Sequence, residues 1–241
     1  MAHLYRFFGE LTAAGKWRLD EEEVVHALKV LRLGDGTLIE VMDGQGNVGS
    51  GPMAIESKSK ATMAQVADQF TAKDLATRCI MIGALKPGDV DDLIAPLVEL
   101  GVDRIIVFRQ EDTPHFRLND AAAQRWNRLM RSAVKQSKRA WMVPVEAVES
   151  LQAGLSLVTS YQHKWMLTPD AQRDLQTISA TITKLVGAVA LIGGEKGLSP
   201  KEEMEAKASG FQGVRLGPWI LRARTAAPAA AVFLGMLPRP K

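Results

Sequence analysis

From residue 79 onward, short apolar runs recur at Cys79–Leu85, Arg104–Phe108, Trp165–Leu167 and Ala188–Ile192, with stretches of helical periodicity between them. Continuous apolar runs of strand length mark strands buried on both faces. Strands that alternate with helices build a largely parallel sheet. This part of the chain is therefore expected to be α/β. The first 70 or so residues are β-rich instead. Thr37-Leu-Ile-Glu-Val-Met alternates polar with apolar and runs into Asp43-Gly44, a hairpin signal. The pattern changes between Gln69 and Thr77, so residues 1–72 are read as a small domain and 73–241 as a larger one.

A chain of 241 residues buries a core without disulfides or metal. Its single cysteine, Cys79, excludes a disulfide framework and points to a reducing compartment. The start of the chain lacks the basic and apolar segments of a secretory signal, and no apolar run approaches the length of a membrane span. A cytoplasmic protein away from membranes is expected. His3, His26, His115 and His163 have no metal-ligand spacing and are read as structural or surface groups, so no metal is expected.

The formal charge is only +3, but it is unevenly spread. Between Ala121 and Trp141 six cations (Arg125, Arg128, Arg131, Lys135, Lys138, Arg139) stand without one acid. A helix over Asp120–Ala140 places Arg128, Arg131, Lys135, Lys138 and Arg139 within an arc of roughly 100°, with Ala123, Trp126, Met130 and Ala133 opposite. A solvated face normally mixes signs in i,i+4 pairs. A uniformly cationic one predicts a polyanion, and nucleic acid is the partner inferred. Arg6 and Arg32 are added as candidate RNA contacts.

Local punctuation predicts further elements. Asp20 is placed to cap a short helix from Glu21 to Leu31. Ser199-Pro200-Lys201-Glu202 is a capping box with proline at the first helical position, and Gly210 closes that helix. A helix from Ala226 to Leu237, capped by Thr225 with Pro228 in its first turn, is apolar all round. It is expected to be buried in the core or against another subunit. Gly44-Gln-Gly-Asn-Val-Gly49 matches G-x-G-x-x-G, but Ser50-Gly51-Pro52 cannot begin a helix, so it reads as a hairpin loop rather than a dinucleotide site. Gly193-Gly-Glu-Lys-Gly197 follows an apolar strand and precedes the Ser199-capped helix, where glycines let a ligand approach the backbone. In Leu216–Thr225, Arg222 and Arg224 flank one small residue at a core edge and call for a carboxylate, phosphate or ligand partner.

Several segments together resemble the RsmE family of SPOUT-class methyltransferases, which act on N3 of a uridine in 16S ribosomal RNA. His26-Ala-Leu-Lys-Val-Leu-Arg-Leu33 with Gly34-Asp35 is similar to the family's H-x-x-V-L-R-x-x-x-G-D. Ala84-Leu-Lys86 and Glu99-Leu-Gly-Val102 resemble its first strand and following helix, and Arg125-Trp126 with Lys135-Gln-Ser-Lys-Arg139 its R-W…E-Q-S-x-R. Leu191-Ile-Gly-Gly-Glu-Lys-Gly-Leu-Ser-Pro200 resembles L-I-G-P-E-G-G-L-S-P, and Leu216–Ala226 resembles L-G-x-R-I-L-R-x-E-T-A. The chain departs from these patterns at Arg224, where the family has Glu, at Lys196, where it has Gly, and at Ala95-Pro96-Leu-Val, where a lysine-containing helix is usual.

The resemblance implies a PUA-like β-barrel followed by a SPOUT α/β domain with a trefoil knot, working as a homodimer on the small ribosomal subunit. It implies S-adenosylmethionine as cofactor, held by Leu167, Thr168 and Pro169, by Ile192, Gly193, Gly194 and Gly197, and by Leu216, Gly217, Ile220 and Leu221. Arg222 becomes the candidate donor to the developing uracil anion. Glu195 becomes the candidate for orienting the cofactor or handling the proton. Two other readings stay open: a non-catalytic RNA-binding or ribosome-assembly protein on the same scaffold, and an enzyme of this class with another RNA target.

Overall fold

A computed structural model of the chain describes residues 4–74, 76–86, 88–114, 116 and 119–238. Two compact units emerge, Met1–Lys73 with Val134–Met142, and Asp74–Ala133 with Val143–Lys241. Sequence pattern puts residues 134–142 in the second domain, whereas the structure returns them to the first. Backbone pairing explains this. Gly46 N–H donates to Ala140 O (3.0 Å), Met142 N–H to Gly44 O (2.9 Å), and Trp141 Nε1 to Thr71 O (2.7 Å).

In the first unit, β1 (Tyr5–Leu11), β2 (Lys16–Leu19), β3 (Leu38–Met42), β4 (Asn47–Ile55) and β5 (Ala61–Ala64) form a barrel in the order β3-β1-β2-β5-β4. It closes because β4 pairs back onto β3, and β6 (Ala67–Phe70) adds to β4. Closure leaves few free edges. The alternation seen in the sequence puts Ile39 and Val41 inside with Phe7, Trp17, Met53 and Met63. Trp17 is fully buried and its Nε1 donates to Gln65 Oε1 at 2.9 Å. Gly49 is needed opposite it, since a Cβ there would stand 2.8 Å from the indole Cδ1 and closer still to Nε1. The Asp43-Gly44 turn joins antiparallel β3 and β4, with Asp43 Oδ1 accepting from Gln45 N–H at 2.7 Å. The G-x-G-x-x-G stretch is this turn and the start of β4.

The expected helix from Glu21 to Leu31 is only partly α-helical. α1 (Glu21–Val25) passes into a π-turn over His26–Val30, where Leu31 N–H reaches back to His26 O at 3.0 Å. Asp20 is the N-cap residue but makes no side-chain cap bond. Glu21, Glu22 and Glu23 favour that positive helix end instead.

The second unit is one parallel sheet, β12-β10-β11-β7-β8-β9. Its strands are β7 (Thr77–Gly83), β8 (Arg104–Phe108), β9 (Val145–Val148), β10 (His163–Leu167), β11 (Gly187–Ile192) and β12 (Gln212–Val214). Its helices are α2 (Asp89–Glu99), α3 (Asp120–Gln136), α4 (Leu151–Leu157), α5 (Leu175–Ser179), α6 (Pro200–Ala208) and α7 (Ala223–Met236). β11 enters between β10 and β7 and is buried along its whole length. Met81, Ile106, Phe108 and Leu191 of the sheet pack with Leu151 and Leu155 of α4. Arg78, at 1% exposure, ties the start of β7 to α7 by donating to Leu234 O (3.0 Å), with Asp74 at 3.4 Å as its charge partner.

Three helix details differ from the sequence reading. α3 ends at Gln136 rather than Ala140, and Lys138 beyond it adopts φ +58°. Ala123 is exposed, because the buried stripe begins only at Trp126, whose Nε1 donates to Asp91 (2.8 Å). α7 starts three residues early, with Arg222 as N-cap, since both Thr225 and Ala226 N–H groups bond to Arg222 O. Pro228 therefore sits in the second turn, where its ring removes the N–H that would meet the Arg224 carbonyl. Within the single chain Val232 and Met236 of α7 are 46% and 79% exposed. α2 also carries an internal proline, Pro96, and the two helices pack on each other. Burial of Val90, Leu93, Ile94, Leu97 and Val98 holds α2 helical through it.

Candidate functional site

Parallel strands end on one side of a sheet, and crevices beyond their C-terminal ends are where α/β folds bind ligands. β10 ends into Leu167-Thr168-Pro169, β11 into Gly193–Gly197 and β12 into the segment before α7. The three loops wall one cleft of about 350 Å³. Leu167, Thr168, Pro169, Ile192, Gly193, Gly194, Gly197, Ile220 and Leu221 all line it, together with Glu195 and Arg222. Leu216 and Gly217 line a smaller recess that shares Leu167, Thr168, Pro169 and Leu221 with it. Segments far apart in sequence are thus brought together at one sheet edge.

The glycine turn is held rigidly. Gly197 N–H donates to Gly194 O at 3.1 Å. Gln110, 5% exposed, braces both ends of the turn. Its Oε1 accepts from Gly194 N–H (2.7 Å), and its Nε2 donates to Gly197 O and to Glu202 Oε2 (3.0 Å each). Glu202 Oε2 also accepts from Ser199 N–H (2.8 Å), which completes the capping box of α6. Space around the turn is reserved for this arrangement. A Cβ on Gly194 would stand 2.5 Å from Gln110 Oε1, and one on Gly193 would press on the Gly197 carbonyl carbon and stand 2.5 Å from Leu198 N.

Sequence reading passed over Gln110. The signal available was a polar residue two positions beyond the apolar strand Arg104–Phe108, at the sheet edge where ligands bind. Gln110→Leu leaves the Gly194 N–H and the Gly197 carbonyl without their partner. It is expected to cost about 1–3 kcal/mol of stability and to weaken ligand affinity in the cleft. Urea unfolding and calorimetry measure the two effects, and an unchanged ligand affinity would show that the turn holds its shape without Gln110.

Glu195 borders two further clefts. One, of about 410 Å³, is lined largely by apolar groups, among them Leu85, Val90, Phe116 and Trp126. The other, of about 430 Å³, holds Lys86, Asp89, Arg222 and Arg224. Glu195 pairs with Lys86 at 3.5 Å, and Lys196 with Asp112 at 3.7 Å. Arg222 and Arg224 are exposed and have no ion-pair partner among the described residues.

The cationic segment is less free than its sequence suggests, because acids reach it from elsewhere in the fold. Arg125 pairs with Asp91 at 2.6 Å. Lys135 bonds both oxygens of Glu23 at 2.7 Å, and Lys138 bonds Glu40 at 2.6 Å. Arg6 also donates to Glu40, at 3.0 Å, and to Arg139 O. Burial pushes the Glu40 carboxyl up, but the hydrogen bonds from Lys138 and Arg6 outweigh it and hold the carboxyl below its ordinary range. Arg6, Lys135 and Lys138 are therefore each paired with an acid of the first unit. Arg32, at φ +54°, and Arg128 are exposed, and Arg131 and Arg139 are half-buried.

Burial raises the Cys79 thiol to about 12, which removes it as a nucleophile. His163 stacks on Trp165 in β10, and burial lowers its pKa. His26 opens the π-turn, and His3 and His115 lie outside the described residues. Among the described residues no group of three or more His, Cys, Asp or Glu forms a metal cluster. No helix there is long and apolar enough to cross a membrane.

Comparison with known proteins adds to this geometry. Residues 73–235 match the RNA methyltransferase domain family. A ribosomal RNA small subunit methyltransferase E of Mycobacterium bovis is 26% identical over 229 residues, covering 91% of this chain and 86% of that protein. The protein of the same name from Synechocystis is 27% identical over 212 residues, covering 87% and 69%. The crystal structure of ribosomal RNA small subunit methyltransferase E from Neisseria gonorrhoeae, bound to S-adenosyl methionine, matches at a TM-score of 0.80. It has 26% identity and covers 95% of each chain. Barrel, parallel sheet and glycine turn come together in a chain that belongs to the RNA methyltransferase domain family, and the small subunit methyltransferase E proteins are the members it resembles.

Proposed function

We propose that this protein transfers a methyl group from S-adenosylmethionine to N3 of a uridine in 16S ribosomal RNA, as a cytoplasmic homodimer. The observation that carries the reading is the cleft where the 167–169, 193–197 and 220–222 loops meet. Its volume is in the small-molecule range of roughly 300–1,000 Å³. Leu167, Ile220 and Leu221 give it apolar walls, and the bare backbone of Gly193 and Gly194 permits close approach. These features fit the cofactor. The exposed Val232 and Met236 on α7, with Trp219 and Ile220 at 80% and 83% exposure, support a second copy as partner.

When bound, S-adenosylmethionine would supply an electrophilic methyl group on a positively charged sulfur, which is left as a neutral thioether when its bond to the methyl carbon breaks. Uracil N3 carries a proton and attacks poorly until it is removed. Glu195, on the border of three clefts, takes that proton on a carboxylate oxygen, and Lys86 at 3.5 Å steadies the carboxylate. Arg222, which has no ion-pair partner among the described residues, donates to the uracil carbonyl oxygen that gains charge as N3 gives up its proton. The loops hold the reacting atoms in line, and that positioning accounts for several kcal/mol of the barrier.

The deciding experiment is mass spectrometry of small-subunit RNA from a strain lacking the gene, beside calorimetry with S-adenosylmethionine. Loss of one methyluridine, restored by the gene, together with micromolar-range cofactor binding, is the expected result. An unchanged modification profile with salt-dependent RNA affinity would leave an RNA-binding protein on an enzyme scaffold. Loss of a different modification would move the target.

A further inference from the structure

Two further clefts adjoin the one assigned to the cofactor, and their chemistry differs. The larger apolar one lies beyond the ends of β7 and β8, where Leu85, Val90, Phe116 and Trp126 contribute to its walls. Glu195 and Lys196 stand between it and the cofactor cleft, lining both. At about 410 Å³ it has room for a nucleobase with its sugar. Asp91 fixes the far wall by accepting from Trp126 Nε1 (2.8 Å) and pairing with Arg125 (2.6 Å), so the aromatic side is set before any ligand arrives. The second cleft is polar and brings Lys86, Arg222 and Arg224 together with Asp89. Glu195 lines this one too, and Lys86 and Leu85 are common to both.

We infer that these two clefts receive one nucleotide of the RNA substrate, turned out of its strand: the pyrimidine base enters the apolar cleft, and the adjoining phosphate rests on Lys86 and Arg224. The inference rests on the methyltransferase reading above. Three observations argue for this occupant. An enzyme acting on a base edge must take the base out of its stack, and flat apolar and aromatic walls offset the lost stacking. The wall shared through Glu195 and Lys196 puts the edge of a base in the apolar cleft next to the cofactor cleft. The charge in the second cleft suits a phosphodiester, since Lys86, Arg222 and Arg224 outnumber Asp89 and Glu195 there and neither arginine has an ion-pair partner among the described residues. Arg224 then has a use: a positive charge beside a cationic cofactor is unfavourable alone, and a phosphate between them offsets the repulsion.

The test uses the full-length protein with S-adenosylmethionine and small ribosomal subunits from the deletion strain. Ala122 lines the apolar cleft at the exposed start of α3. Ala122→Trp is expected to fill it and lower methyl transfer by about 10²-fold, the usual loss when a reacting group is misplaced. Calorimetric affinity for S-adenosylmethionine should stay within about twofold, which a misfolded protein would not show. Arg224→Glu, on an exposed residue, is expected to raise KM for the subunit far more than it lowers kcat. It should also reduce the salt slope of RNA binding by about one unit. Wild-type transfer with both variants as active as the parent overturns this site and leaves the enzyme reading intact. Absence of transfer by the wild type overturns the reading on which the site rests, and the site with it.

Discussion

Gly193→Ala is expected to weaken binding of S-adenosylmethionine by roughly 10- to 100-fold. The added Cβ would press on the Gly197 carbonyl carbon and stand 2.5 Å from Leu198 N, and both are backbone atoms that cannot rotate away. The turn must open at the point where Gln110 clamps it, so the Gly194 and Gly197 hydrogen bonds are strained together. Overpacking of this kind costs about 1–3 kcal/mol. Applied to the turn that forms a cleft wall, it corresponds to a loss of affinity of roughly 10- to 100-fold. Thermal unfolding should shift only by the few degrees such a cost implies, because the barrel and the sheet core are untouched. Calorimetry at a series of cofactor concentrations measures the loss. Wild-type affinity in Gly193→Ala would show that the turn does not wall the cofactor site.

Arg222→Ala should act on the chemical step instead. In the proposed mechanism Arg222 donates to charge that develops on uracil only as N3 gives up its proton. Removing one such donor lowers kcat by about 10²- to 10³-fold. Arg222 sits at the N-cap of α7 without a side-chain cap bond, so the helix loses no capping interaction with it. Cofactor affinity is expected to stay within about threefold. The deficit should shrink as pH rises, because alkaline solution supplies the N3 anion that the arginine no longer stabilises. A loss that is constant across pH would make Arg222 a positioning group, and full activity in the variant would remove it from the mechanism.

The acid–base balance of the first unit bears on where RNA binds. Glu40 joins Arg6 and Lys138, and Glu23 joins Lys135, so three of the candidate RNA-binding cations are tied to acids of the barrel. Substituting Lys135 by an acid would set two carboxylates against each other at a half-buried site, and any loss of RNA affinity would be confounded by loss of fold. Arg128, exposed on α3, is the cleaner probe of RNA contact.

Much of this molecule is written locally. The alternation around Ile39 and Val41 sets the barrel strands, and the fully apolar run Gly187–Ile192 sets a strand buried on both faces. Ser199 and Glu202 specify where α6 begins. Each of these depends on neighbours within one turn or one pleat, and so each is legible in a window of a few residues. The misreadings share the opposite cause. Pro228 looked like a first-turn residue because sequence alone did not show that Arg222 O takes two N–H groups and starts α7 early. Arg125, Lys135 and Lys138 looked unpaired because their acids, Asp91, Glu23 and Glu40, lie distant in the chain.

By itself the amino-acid order determined the two kinds of architecture, the glycine turn and the arginine-bearing segment before the last helix, since periodicity and capping act over a few residues. Folding alone decided that Gln110 clamps that turn from 84 positions away, that residues 134–142 belong with the barrel, and that three unlike clefts meet at Glu195. The physical reason is that a contact between remote segments depends on how strands are ordered in a sheet, and no short stretch of sequence carries that order.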